Sequence, residues 1–227
     1  AKKYFCVSTD KAANPVNMMG ASKRIMELFL AKLAPEINIS TARFANVAFS
    51  DGSLLHSFNQ RLLKRQPIVA PNDIRRYFVT PKEAGELCVM SCVFGEGGDI
   101  FFPKLSEELD LVSFADVAKR YLSSMGFDHV ECGSEDEARK KFGEIGETNV
   151  WPCFFSASDT TGEKPYEEFY VDGERLVLDR FNDIGIVQSR LAFNDARLDS
   201  FLLELGEIRN LGVWEKGDLV RLFKSVL

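Results

Sequence analysis

Tyr4-Phe5-Cys6-Val7-Ser8-Thr9-Asp10-Lys11, followed by Asn14-Pro15-Val16-Asn17-Met18-Met19-Gly20-Ala21-Ser22-Lys23-Arg24, is the stretch that decides the fold. An apolar run ends in polar, titratable residues. A turn at Asn14-Pro15 follows, and a helix then opens whose first turns carry Met19 and Lys23 on one face. In parallel α/β sheets ligands gather at the strand ends, and Asp10 and Lys11, adjacent and of opposite charge, stand at such an end.

Working outward, strand and helix alternate to about residue 125, as expected of a parallel α/β sheet. Strand 3–8 leads to helix 16–33. Its apolar residues Ile25, Met26, Leu28, Phe29, Leu30 and Leu33 surround it, which predicts more than one buried face. Pro35 stops that helix, and strand 37–47 follows. In the turn Ser50-Asp51-Gly52-Ser53 the last residue can cap helix 54–65. An extended piece over 67–71 precedes Arg75-Arg76 and strand 77–79. Thr80-Pro81-Lys82-Glu83 then reads as a capping box opening helix 81–94. Strand 99–102 is fenced by Gly97-Gly98 and Pro103.

Helix 113–124, strand 127–132 and a stretch rich in Glu and Lys (Glu135 to Lys141) come next. Val150 to Phe155 is a further landmark, and the loop after it holds Thr160-Thr161-Gly162-Glu163-Lys164-Pro165. Two amphipathic helices, 194–210 and 217–226, close the chain.

The 227 residues carry 45% hydrophobic and 27% charged side chains, ordinary values for a globular protein. A net charge of −6 argues against nucleic acid as a partner, though not against a nucleotide. No apolar run approaches a membrane span. The 5 cysteines are odd in number; Cys88 and Cys92 share a helix face, but no His or Cys pair completes a zinc set, so no metal is expected. Reduced thiols and a cytoplasmic setting are the expectation.

Ser8-Thr9-Asp10-Lys11-Ala12-Ala13-Asn14-Pro15 with Asn17-Met18-Met19-Gly20-Ala21-Ser22-Lys23 resembles the signature STDKAxxPxNxMGxSK of nucleotide-sugar 4,6-dehydratases. These are extended short-chain dehydrogenases/reductases (SDRs) of bacterial polysaccharide biosynthesis, the UDP-N-acetylglucosamine 4,6-dehydratase branch. The likeness runs through residues 3–104, returns at 150–170, and leaves the closing helices aside. It implies a Rossmann-like α/β SDR fold with a substrate-binding lobe. The glycine-rich dinucleotide loop is absent. This chain is therefore expected to be the C-terminal part of a longer enzyme, lacking roughly 120–170 residues that hold the first strands. Residues 1–126 would be SDR core with substrate-binding segments, and 127–227 the rest of the substrate lobe plus a helical cap.

The resemblance also implies chemistry. Hydride leaves C4 for NADP (or NAD), water is lost across C5 and C6, and the hydride returns to C6. Asp10 would protonate the leaving hydroxyl, and neutral Lys11 would take the C5 proton. On the dipeptide alone, a surface turn with a helix-capping Asp is the commoner reading; the surrounding motif reverses that order. Thr9 falls at the hydroxyl position of the superfamily triad and Lys23 at its lysine, both near the cofactor. Met19 stands where most relatives carry the proton-transferring tyrosine, a task a thioether cannot perform. A subfamily with methionine there is still a dehydratase.

Arg43-Phe44-Ala45-Asn46-Val47 with Gly52-Ser53 resembles R(F/Y)GNVxxSxGS, which places Asn46 and Ser53 against the UDP-sugar. Arg76 matches the phosphate-pairing arginine of MTRFF, a role suited to its fork of donors. Glu163 falls in the motif RPGEKxxE, whose arginine is missing here. A homo-oligomer paired through helix 16–33 is expected. The rival readings are a 4-epimerase and a catalytically idle sugar-nucleotide-binding subunit.

Overall fold

The computed structural model describes residues 2–106, 111–146, 148–159, 164–188 and 193–227. In chain order come β1 (Lys3–Thr9), a 3-10 turn (Asp10–Ala12), α1 (Met18–Leu33), β2 (Asn38–Phe44), β3 (Asn46–Val47) and α2 (Leu54–Leu63). Then follow β4 (Ile68–Pro71), β5 (Arg75–Val79), α3 (Pro81–Phe94), β6 (Asp99–Pro103), β7 (Leu111–Ser113) and α4 (Phe114–Ser124). The remaining elements are β8 (Asp128–Glu131), α5 (Glu135–Ile145), β9 (Val150–Ser156), β10 (Leu176–Val177), β11 (Ile184–Val187), α6 (Asp195–Leu211) and α7 (Lys216–Lys224). They form two compact units, residues 1–45, 82–104 and 167–227 in the first and 46–81 and 105–166 in the second.

The first unit is built on a sheet of order β1-β2-β6-β11-β10. β1 and β2 are parallel with Lys3 opposite Asn38 and Thr9 opposite Phe44, and β6 continues in parallel on the far side of β2. This is the arrangement the opening stretch predicts. The antiparallel addition of β11 and β10 was not legible, because Ile184-Gly185-Ile186-Val187 is too short to stand out from its loop. Ala42, Phe101, Ile186 and Val187 are fully buried and form the sheet's interior.

Helix α1 begins at Met18, where Asn17 accepts a hydrogen bond from the Gly20 amide at 2.9 Å and caps the helix. The second buried face that its apolar sequence predicts is covered by the chain's own closing helices. Ile25 packs with Phe201 and Leu222, and Phe29 joins the same cluster. Leu33, at the end of the same helix, stays 44% exposed.

The second unit holds two small sheets, β3-β5-β7 and β4-β9-β8, the latter parallel throughout. Strand 37–47 is therefore not one strand: the chain leaves the first sheet at Ala45, and Asn46 and Val47 pair with Phe78 and Val79 of β5. The Glu- and Lys-rich stretch folds as α5. Ser134 caps it, and Glu135, Asp136 and Glu137 lie in its first turn, where the helix dipole favours negative charge. The core is apolar, with Phe58, Ile68, Leu122 and Cys153 at its centre and Trp151 in edge contact with Phe127 and Phe142. All 5 cysteines are free; Cys132 and Cys153 are buried and Cys92 is exposed. Burial pushes the Cys153 thiol up to about 12, so it behaves as an inert apolar group. No described helix is long and apolar enough to cross a membrane.

Candidate functional site

At the C-terminal end of β1 the chain tightens into the turn that carries Thr9, Asp10 and Lys11. The Thr9 hydroxyl donates to Asp10 Oδ1 at 2.8 Å, and the Lys11 amide donates to the same oxygen at 2.8 Å. The Lys11 ammonium reaches it as well, at 3.2 Å. Asp10 is 2% exposed, yet its second oxygen, Oδ2, is buried and has no hydrogen-bond partner. A buried carboxylate oxygen left in this way is costly unless a proton or a ligand hydroxyl meets it.

Helix α1 is pressed against this turn through Gly20. A Cβ at that position would lie 2.6 Å from the Lys11 carbonyl oxygen, closer than any real contact. Only glycine fits there. Further along α1, the Lys23 ammonium donates to the Val7 carbonyl of β1 at 3.3 Å. Thr9, Asp10, Lys11 and Lys23 therefore gather around one strand end. Met19 is 47% exposed and is not a core side chain.

Behind the turn lies a group of charged residues that the motifs did not single out. Glu27 Oε1 accepts from the Ser8 hydroxyl at 2.7 Å and from Arg43 Nε at 3.0 Å; Oε2 accepts from Arg43 Nη2 at 2.8 Å and Arg24 Nη1 at 3.2 Å. Arg43, fully buried, also donates to the Phe169 carbonyl at 2.7 Å and approaches Glu174 at 3.4 Å. Burial alone would raise the Glu27 pKa, but the bonds and charge of Arg43, with help from Ser8 and Arg24, hold it below the usual carboxylate range. Burial would likewise lower Arg43, and Glu27 and Glu174 outweigh it, keeping the guanidinium above its ordinary value. One signal in the sequence marks this group: a glutamate inside the all-round apolar run of α1.

The other expected residues lie in the second unit. Asn46 Nδ2 donates to the Tyr77 carbonyl at 3.3 Å. Ser53 caps α2, accepting from the His56 amide at 3.1 Å. Arg76 is 2% exposed, so it is not the solvated surface arginine that an Arg-Arg pair usually signals. Its Nη1 donates to the carbonyls of Arg75, Lys164 and Pro165 at 2.8, 3.0 and 3.2 Å. It thereby ties β5 to the chain that follows the Gly162-Glu163 motif. Glu163 itself lies outside the described residues.

A cavity of about 410 Å³ in the first unit is lined by Leu30, Ala34, Ile39, Ile100 and Phe193 and touches Glu27. It is mostly apolar, with Thr41 and Gln188 also in its wall, and borders none of Thr9, Asp10 or Lys11. Among the described residues, no cluster of His, Cys, Asp and Glu is suited to a metal ion.

Residues 1–189 match the family of polysaccharide biosynthesis proteins. The chain belongs to that family. It is 33% identical over 138 residues to the capsular polysaccharide biosynthesis protein CapD of Staphylococcus aureus, a match covering 59% of this chain and 22% of that protein. It is 32% identical over 111 residues to an inverting UDP-N-acetylglucosamine 4,6-dehydratase of Campylobacter jejuni, covering 46% of this chain and 33% of the relative. A UDP-glucose 4-epimerase of Rickettsia bellii is 26% identical over 190 residues, covering 77% and 54%. The chain thus spans between a fifth and about half of these relatives' length. Among solved structures, Pen from Bacillus thuringiensis superposes with a TM-score of 0.65 at 21% identity, over 84% of this chain and 54% of that one. That likeness supports the Rossmann-like α/β fold.

Proposed function

We propose that the protein containing this chain removes water from a UDP-N-acetylhexosamine, UDP-N-acetylglucosamine foremost, to give a 4-keto-6-deoxy sugar for surface-glycan synthesis in the cytoplasm. The observation that carries this reading is the Asp10–Lys11 pair, with one Asp10 oxygen held by Thr9 and Lys11 and the other buried and unpartnered. That free oxygen is where a general acid would hold the proton it gives to the departing C6 oxygen.

The pair has two forms of equal net charge: Lys11 ammonium with Asp10 carboxylate, bonded at 3.2 Å through Oδ1, and Lys11 amine with Asp10 carboxylic acid, its proton on the unpartnered Oδ2. In the second form Lys11 takes the C5 proton and Asp10 delivers its own to the leaving hydroxyl. One water departs, and the pair returns to its ionic form. A 4-epimerisation involves no such loss and leaves this pair without a task.

A nicotinamide dinucleotide, NADP or NAD, would accept the C4 hydride and return it at C6. The residues at the end of β1 suit such a group: the Lys23 ammonium stands there with Thr9, fit to hold ribose hydroxyls. Among the described residues no strand pairs with the outer edge of β1, and the dinucleotide-binding half would extend the sheet there. On this reading Asn46, Ser53, Arg76 and Glu163 serve the UDP-sugar. A homo-oligomer remains part of the proposal on resemblance alone. It would use a surface other than the Ile25–Phe29 face of α1, which α6 and α7 already cover.

Incubating the full protein with UDP-N-acetylglucosamine and weighing the product tests the reading. A sugar lighter by one water is expected. A product of unchanged mass with inverted C4 would establish the epimerase, and no product at all the binding subunit.

A further inference from the structure

The residue immediately before the acid–base turn is anchored from behind. Successive side chains of a strand point to opposite faces, so Ser8 and Thr9 diverge. Thr9 bonds within the turn, whereas Ser8, 3% exposed, donates to Glu27 on α1 at 2.7 Å. Glu27 lies one helical turn beyond Lys23 and on its side of the helix. It accepts from three different residues, Ser8, Arg43 and Arg24, through both oxygens.

We propose that Glu27 is a positioning residue for the Thr9–Asp10–Lys11 turn, setting through Ser8 where the end of β1 stands relative to Lys23. The proposal rests on the dehydratase reading above. Three features carry it. The Ser8 bond acts on the residue adjoining the turn. Arg43 fixes Glu27 in turn against β2 and the Phe169 carbonyl, so the carboxylate is clamped by a strand it does not belong to. Gly20 sets the distance between α1 and the Lys11 carbonyl one or two helical turns earlier, so helix and turn are registered at two points. The cluster pairs two carboxylates, Glu27 and Glu174, with two guanidinium groups, Arg24 and Arg43. Its charges cancel, and its effect on the turn is geometric. Both oxygens of Glu27 are bonded, and a buried carboxylate held in this way rigidifies what it touches.

Ser8→Ala removes one bond and leaves the buried ion pairs intact. In the full protein acting on UDP-N-acetylglucosamine, kcat should fall about 10- to 100-fold, the loss expected when reacting groups are misplaced by a fraction of their spacing. KM should stay within about twofold. The unfolding midpoint should drop by only about 2–4 °C. Ser8→Thr, which keeps the hydroxyl, should regain most of the rate. Lys32→Ala, which cuts the exposed Lys32–Asp199 pair on the same helix, should leave kcat unchanged. Hydrogen exchange at the amides of Lys11, Ala12 and Ala13 should quicken in Ser8→Ala alone. An unchanged kcat in Ser8→Ala, or an equal loss in Lys32→Ala, overturns the proposal. Should the wild type release no water from the sugar, the dehydratase reading falls instead. The exchange rates then decide by themselves whether Glu27 holds the turn, and unaltered rates refute it.

Discussion

Both units bury aromatic and aliphatic surface, but the first also buries a network of paired charges. Glu27 and Arg43 are both under 3% exposed and bonded to each other, to Ser8 and to the segment at Phe169. In the second unit Phe58, Ile68 and Leu122 form the centre, and buried Arg76 is met by backbone carbonyls. The contrast has a physical meaning. Apolar packing is non-directional and tolerates small shifts, whereas a buried ionic network is costly unless every bond is made, so it specifies one geometry. The network lies directly behind the turn where the proposed acid and base must be held in place.

The largest effect expected is chemical. Asp10→Asn should lower turnover about 10²- to 10⁴-fold while leaving the circular dichroism of the protein unchanged. Retained turnover would remove the special standing of the first unit.

Next come two core substitutions that set the units against each other in urea unfolding. Glu27→Ala leaves buried Arg43 with only the longer 3.4 Å contact to Glu174 and should cost about 3–5 kcal/mol. Phe58→Ala, which opens a cavity in the second unit, should cost about 3–5 kcal/mol as well. Acid separates them. The folded Glu27 pKa lies below its unfolded value of 4.5, so its stabilisation is present above that pH and fades as pH falls through the folded value. The gap between wild type and Glu27→Ala should narrow on acidification, and the Phe58→Ala gap should not. Parallel behaviour of the two would erase the distinction.

A smaller effect is expected at Arg76. Arg76→Ala should weaken UDP-sugar binding by about 1.5–3 kcal/mol in calorimetry through loss of a charge-assisted contact. It should also lower the unfolding midpoint, because the guanidinium holds the Lys164 and Pro165 carbonyls. Affinity that stays unchanged while stability drops would make Arg76 a purely structural residue. The smallest change belongs to Ser53→Ala, about 1 kcal/mol of stability from the lost helix cap. A larger loss in sugar affinity would add ligand contact to its capping role.

Much of the first unit was legible because its signals are local. The apolar run 4–7, the Asn14-Pro15 turn and the stop at Pro35 predict β1, α1 and their parallel crossover to β2. The break at Ala45 was not legible, since residues 38–47 form one unbroken strand pattern and only tertiary pairing with β5 divides it. The Thr9–Lys11 turn and Lys23 were marked by the motif's resemblance, since local chemistry alone favours a surface turn there. The network behind them was hidden for a different reason: Glu27 and Arg43 are 16 residues apart, and Arg43 and Phe169 are 126 apart. No spacing rule reaches so far. Gly20 was visible as a letter of a motif, and its close approach to the Lys11 carbonyl emerges only in three dimensions.

The central claim is that Lys11 removes the C5 proton as water departs. The direct measurement runs the full wild-type protein and Lys11→Ala side by side on UDP-N-acetylglucosamine in deuterated water, following nicotinamide absorbance and the hydrogen at C5. The wild type should yield a dehydrated sugar that has taken up solvent deuterium at C5. Lys11→Ala should show reduced nicotinamide on substrate addition, no loss of water, and sugar that keeps its original C5 hydrogen. Normal elimination by Lys11→Ala would contradict the account.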